Sequence, residues 1–385
     1  MTEPLRDLFL LDPDIIYLNH GSFGACPRPV FETYQGWQRE LERNPMGFIG
    51  ERLPPLMAEA RATLGAYLGV TGDDLVYYAN PTTAMRMLCR GMHFEPGDEV
   101  LTTDWEYPAM DAAWQLLAYQ TGLRYIHQPV PLPLTTPEAF ADAVWAGVTP
   151  RTRILFLSHI AAFNALIFPI DEVCRRAHEA GILTFIDGAH APSQIPLDLA
   201  QLDVDIYVSA CHKWLCSPKG AGFAYVHPRT QPSVVGPFVR SRPGSEDAPV
   251  EAAQFVSHYQ QQGTRDPSAW LSVPAAIRFQ AEHDWDAQRA RCHGLASQTL
   301  ARVTALTGLE PFSPNSSEYF SQMVAMPIPG SRAEAISRAF RARNIVTVML
   351  APHDGHLLRV SYQAYNSQDD ADRFVEAVAE GLAKG

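Results

Sequence analysis

The sequence predicts an α/β fold: a mostly parallel central sheet in a large domain, followed by a small α+β C-terminal domain. Three observations carry this. The apolar run over residues 181–186, ending at Asp187, has the unbroken hydrophobicity of a strand buried on both faces, as in parallel sheets. A strand over 153–158, a helix over 171–180 and that strand follow one another as a right-handed β-α-β unit. The chain has 385 residues, 46% of them hydrophobic, enough to bury one large core and one small one.

Residues 15–24, IIYLNHGSFG, read as a short strand and a turn, where Asn19, His20 and Ser22 sit among glycines that allow close backbone approach. Residues 31–41 and 56–68 carry helical apolar spacing. A strand over 75–79 leads into Asn80-Pro81-Thr82-Thr83-Ala84 and a helix over 85–92. A helix N-terminus offers unpaired amides and a positive dipole end to an anion, and Thr82 and Thr83 add hydroxyls. Two threonines there are more often a plain N-cap. Arg86 on that helix is either a surface charge or a reach toward an anion.

A strand over 99–102 precedes Trp105-Glu106-Tyr107, then a helix over 111–119 and a strand over 124–128. A Pro-rich stretch opens a helix ending near residue 148. Short strands over 206–209 and 222–227 follow the Asp187 strand. Residues 236–262, with Pro237, Pro243 and Pro249, read as loop, closed by Gly263-Thr264-Arg265-Asp266-Pro267. Residues 269–306 read as mostly helical. Beyond them, strands over 322–326, 346–349 and 357–360 alternate with helices over 332–341 and 369–382. The expected division is an arm over 1–22, a large domain over 23–265 and a small one over 266–385.

A net charge of −12 argues against a nucleic-acid or anionic-membrane surface. MTEPLRDLFLLDPD lacks the apolar stretch of a signal peptide, and no run approaches the length of a membrane span. Cysteines 26, 89, 174, 211, 216 and 292 show neither CxxC nor metal spacing, so no metal site is expected. They read as reduced thiols of a cytoplasmic protein.

The strand over 206–209 delivers His212 and Lys213 just beyond its end. Open parallel sheets hold ligands at the carboxyl ends of their strands, so Asp187 and Lys213 are expected in one crevice. A carboxylate and a lysine so placed suit pyridoxal 5'-phosphate. Its aldehyde takes a lysine, and its ring absorbs carbanion electrons while an acid keeps the pyridine nitrogen protonated. Lys213 and Asp187 are the candidates, supported by His190, by the His212-Lys213-Trp214 triplet and by the exit Lys219-Gly220-Ala221-Gly222. The plain alternative is a surface lysine and an aspartate capping a turn.

DGAHAPSQ followed by CHKWLCSPKGAGF resembles the class V aminotransferase family of fold-type I pyridoxal phosphate enzymes. Within it, the resemblance is to the isopenicillin N epimerase branch, which includes ergothioneine-pathway C–S lyases. It runs from YLNHGSFGACPRPV to LRVSYQAYNS. The resemblance implies that Asn19 and His20 line the substrate side, that Thr82 and Thr83 cup the phosphate, and that Tyr107 stacks on the ring. From the sequence alone, Trp105 competes for the stacking place. His190, His212 and Lys213 surround the cofactor, and Arg359 grips the α-carboxylate bidentately. Gly263 and Thr264 are implied to touch the phosphate of a second subunit, making a homodimer with shared sites. Ala161, Ala162, Phe163 and Asn164 replace small hydroxyl residues of the family; Asn164 is left as a hydrogen-bond donor and Phe163 makes the pocket more apolar.

The resemblance therefore implies an enzyme acting at the α-carbon of a free amino acid or cysteine-derived conjugate, with Lys213 taking the proton. Epimerisation is the first expectation, C–S lysis (β-elimination) the alternative, then transamination. A catalytically inactive binding protein is disfavoured by retention of Lys213, Asp187 and Arg359. His20, Tyr107 and His353 are the candidates for a second acid. Desulfuration is disfavoured because no cysteine follows Cys292 to accept sulfur.

Overall fold

The computed structural model describes residues 4–234, 252–352 and 355–383. Its strands are β1 (Ile16–Tyr17), β2 (Leu75–Tyr78), β3 (Glu99–Thr103), β4 (Arg124–Gln128), β5 (Thr152–Ser158), β6 (Leu183–Asp187), β7 (Ile206–Ala210), β8 (Gly222–Val226), β9 (Met323–Pro327), β10 (Ile345–Val346), β11 (Val348–Leu350) and β12 (Leu357–Ser361). The central sheet runs β2-β8-β7-β6-β5-β3-β4. From β7 to β4 every pairing is parallel, and β8 is antiparallel to both its neighbours.

Side chains alternate between the two faces with period two. Tyr77, Leu155, Ile186 and Tyr207 join the core on one face, and Val76, Phe156, Phe185 and Val208 that on the other. The edge strand β4 has no fully buried residue, whereas β3 and β7 are buried throughout. The parallel register makes Ser158 the Cα partner of Asp187. The carboxyl ends of β3, β5, β6 and β7 thus meet at one margin of the sheet.

A third apolar cluster joins Ile16 and Leu18 to Leu295, Val324, Phe340 and Phe374. β1 pairs in parallel with β10, so the stretch read as an arm packs with this C-terminal cluster. Helix Trp285–Thr307 passes from the first cluster, at Trp285, into the third, from Cys292 onward. Gly24, at φ 65°, seals the arm against the large core: a Cβ there would lie 2.1 Å from the His212 carbonyl oxygen.

Two expectations change. The single strand over 346–349 is two strands in different sheets, broken at Thr347; β10 pairs with β1, and β11 joins β12 and β9. Thr347 donates its hydroxyl to the Arg359 carbonyl instead of extending either strand. The passage read as loop over 236–262 contains helix Ala252–Gln260, a stretch free of Pro and Gly that buries Phe255 and Tyr259 one turn apart. Among the described residues, no helix is long and apolar enough to cross a membrane.

Candidate active site

A cavity of about 490 Å³ opens at the carboxyl margin of the sheet. Thr82, Thr83, Tyr107, Asp187, His212 and Lys213 are on its wall, brought there from four separate stretches of chain.

Helix Pro81–Gly91 begins at the cavity with Pro at its first position, where the missing N–H costs nothing. Asn80 Oδ1 caps it by accepting the Thr83 amide at 2.8 Å. The Thr82 amide has no partner inside the helix by helical geometry, and Thr82 and Thr83 both line the cavity at the positive dipole end.

Lys213 follows β7, and its Nζ lies 3.1 Å from His190 Nε2. The indole N–H of Trp214 donates to His190 Nδ1 at 3.1 Å. With Nδ1 accepting, the proton of a neutral imidazole sits on Nε2 and points at the lysine. That hydrogen bond can form only with the neutral amine. Burial pushes the Lys213 pKa down to about 8; Asp187 opposes the shift and the Arg359 charge adds to it. Burial, then the Lys213 charge, holds His190 well below the ordinary histidine value, so His190 stays neutral. Asp187 ends β6 and accepts the Ala189 amide at 2.9 Å. Burial raises its pKa, while that amide and Lys213 favour its charge.

Arg359, on β12, is 5% exposed. Its guanidinium donates to the Ala162 carbonyl and, at 2.9 Å, to the Ser22 hydroxyl, which donates in turn to Asn19 Oδ1 at 2.7 Å. Ser22 and Ala162 both line the cavity, so Arg359 stands directly behind its wall. Its Nε is buried without a partner, and burial pushes its pKa down to about 10. A carboxylate arriving at this wall would meet the positive charge of a guanidinium held just behind it.

The other expected residues divide. Tyr107 lines the cavity at 44% exposure, whereas Trp105 is in the core beside Phe312, ring centroids 5.9 Å apart. His212 lines the cavity and bonds the Ala221 carbonyl through Nδ1 at 2.8 Å; burial pushes its pKa down to about 4. His20 does not reach the cavity. It is fully buried: Nδ1 accepts the Ala25 amide at 3.3 Å, and Nε2 bonds the Lys213 carbonyl at 3.0 Å. Burial pushes its pKa down to about 3, so it is a neutral brace for the lysine's backbone rather than an acid facing substrate. Asn19 acts through Ser22. Asn164 is also off the cavity: buried, with Oδ1 on the Leu166 amide and Nδ2 unpartnered. Phe163 packs part-buried on the core, and Ile160 and Ala162 make that wall instead. Gly263 and Thr264 are exposed and away from the cavity of this chain. His353 lies outside the described residues. Arg86 is exposed at the cavity wall.

Sequence reasoning did not single out Ser158, Phe23 or Glu106. Ser158 and Phe23 line the cavity, and Glu106 bonds Ser158 from behind it. The available signal for Glu106 was its place, directly after a buried strand and between two aromatics.

The family model described as "Aminotransferase class-V" matches residues 16–374. The chain is 37% identical over 390 residues to an isopenicillin N epimerase of Amycolatopsis lactamdurans, covering 97% of each chain. It is 25% identical over 401 residues to an L-cysteine desulfhydrase of Arabidopsis thaliana, covering 94% of this chain and 87% of that one. Its fold matches a solved cysteine desulfurase from Thermococcus onnurineus NA1, with a TM-score of 0.85, 17% identity, and 100% and 99% of the two chains covered.

Proposed function

From the premise that the chain belongs to the class-V aminotransferase family, a pyridoxal phosphate-dependent family, we propose that it acts at the α-carbon of an amino acid or cysteine-derived conjugate, as an isopenicillin N epimerase-like enzyme. The observation that carries the reading is the whole-length likeness to that epimerase, on a cavity lined by Lys213 and Asp187 with Arg359 directly behind its wall.

The residues fit the cofactor. Thr82 and Thr83 at the helix N-terminus suit its phosphate, Asp187 its ring nitrogen, Tyr107 its face and Lys213 its aldehyde. Bound there, pyridoxal phosphate supplies an electron sink for the α-carbon. Arg359, behind the wall made by Ser22 and Ala162, supplies the positive charge that orients the substrate carboxylate so that the Cα–H bond faces Lys213. Lys213, with an amine poised near pH 8, takes the proton. Tyr107, the one cavity-lining member among the described candidates, is the group to return a proton from the other side in an epimerase. The exposed Gly263-Thr264 turn supports a homodimer in which that turn completes the partner's phosphate site.

C–S lysis is the second reading, favoured by the likeness to the desulfhydrase. The test incubates the protein with amino acids and cysteine conjugates in deuterium oxide. Deuterium at Cα with inverted product and no pyruvate supports the epimerase; pyruvate and ammonia support the lyase. If neither appears, and a 2-oxo acid instead regenerates the aldehyde form of the cofactor, the enzyme is a transaminase and the proposal fails.

A further inference from the structure

A carboxyl lies behind the cavity floor that the chemistry above does not use. Thr103, Ser158 and Asp187 end the adjacent strands β3, β5 and β6. Glu106, three residues beyond β3, is 3% exposed. One of its oxygens is 2.7 Å from the Thr103 hydroxyl; the other accepts the Ser158 amide at 2.9 Å and lies 2.6 Å from the Ser158 hydroxyl. Ser158 lines the cavity and is the Cα partner of Asp187. Among the described residues, no lysine, arginine or histidine forms an ion pair with Glu106.

We propose that Glu106 is a positioning residue of the cofactor site: its proton decides whether Ser158 presents an O–H donor or only lone pairs to the cavity beside Asp187. This rests on the pyridoxal phosphate reading above. A serine hydroxyl has one proton. When Glu106 is ionised, that proton is committed to the carboxylate at 2.6 Å, and the cavity meets lone pairs. When Glu106 is protonated, its own O–H can turn to Ser158 Oγ, and the serine proton swings toward the cavity. No covalent bond within Ser158 changes, and the single proton gained comes from solvent.

The surroundings favour the protonated form near neutrality. Burial without a counter-cation pushes the Glu106 pKa up to about 8 against the Ser158 and Thr103 hydrogen bonds, with Asp187 and Asp111 adding to the rise. Tyr125 and His127 also feel its charge. A donor turned into the cavity on the strand next to Asp187 makes that side of the cavity more favourable to negative charge, and Asp187 as a carboxylate is the form able to hold a ring-nitrogen proton. Ionising Glu106 withdraws that donor and adds a second negative charge.

The first test needs no cofactor. Infrared difference spectra of the cofactor-free wild type against Glu106→Gln at pH 7 should show the carbonyl stretch of a buried protonated carboxylic acid. It should fade as pH rises through about 8; its absence at pH 7 overturns the proposal. The second test follows the absorption of the cofactor-loaded protein with pH. The wild type should show a step near pH 8 that Glu106→Gln and Ser158→Ala lose while both still bind stoichiometric cofactor. Any step from Lys213 is common to all three proteins, so what the variants lose is the wild-type component beyond that shared step. A step retained in full by Ser158→Ala shows that the hydroxyl is not the conduit and overturns the proposal. Should Glu106→Gln fail to fold, the infrared fading in wild type and the Ser158→Ala profile decide the matter. Failure of the wild type itself to take up the cofactor would sink the functional reading instead, a separable outcome.

Discussion

Replacing Lys213 by methionine in the cofactor-free protein removes a buried ammonium and keeps an apolar chain of similar length. The folded protein holds Lys213 at about 8 against an ordinary value of 10.5, chiefly through burial. Between those two pH values the unfolded chain keeps the lysine proton and the folded one has lost it. The unfolded state binds more protons, so wild-type stability rises with pH across the window, and the full penalty stands below about 8. At about 1.4 kcal/mol for each pH unit, the penalty at pH 7 is roughly 3 kcal/mol. The attraction of Asp187, which opposes the shift, is already contained in it. Lys213→Met is therefore expected to be more stable than wild type at pH 7, by up to about 3 kcal/mol, and to lose that advantage toward pH 10.5. Urea unfolding of both cofactor-free proteins at a series of pH values reads it. A variant no more stable at pH 7, or one whose advantage does not shrink with pH, would refute the argument that the site holds its lysine at an energetic cost.

Trp214→Phe removes the N–H donated to His190 Nδ1, with both residues buried, and leaves that nitrogen unpaired at a cost of about 1–3 kcal/mol. The imidazole proton can then move to Nδ1, giving the Lys213 ammonium an acceptor. The midpoint for imine formation with an aldehyde should rise above that of wild type, and an unchanged midpoint would count against the tautomer. For the proposed shared site of a homodimer, mixing Lys213→Ala with Thr264→Glu should restore about a quarter of wild-type activity, since half of randomly paired dimers carry one intact site. No recovery on mixing would argue that each subunit's site is complete without its partner.

The crevice at Asp187 and Lys213 was legible because two kinds of local information coincide there. Unbroken apolar runs mark buried parallel strands, and parallel strands bring their carboxyl ends to one margin whatever the loops contain. The helix starting at Asn80 was legible from cap chemistry that involves only neighbours in the chain. His20 was not. A histidine in a glycine-rich turn reads as accessible, yet the pairing of β1 with β10, and Gly24 against the His212 carbonyl, press this turn beneath Lys213. The division of residues 345–350 between two sheets depended on partners more than three hundred residues away in one case and immediately downstream in the other.

By itself, then, the sequence determined the α/β architecture, the strand ends that carry a lysine and a carboxylate, and the cofactor such a pair suits. These follow from hydrophobic periodicity and short motifs, whose energetics are set within a turn or a strand. Only the tertiary structure decided which polar groups face the cavity and in what protonation state. It set Tyr107 on the wall and Trp105 in the core, aimed the proton of His190 at Lys213 through Trp214, and closed Glu106 behind Ser158. Burial and hydrogen-bond partners are what shift a pKa or select a tautomer. Here both are supplied by segments that meet only when the sheet is assembled.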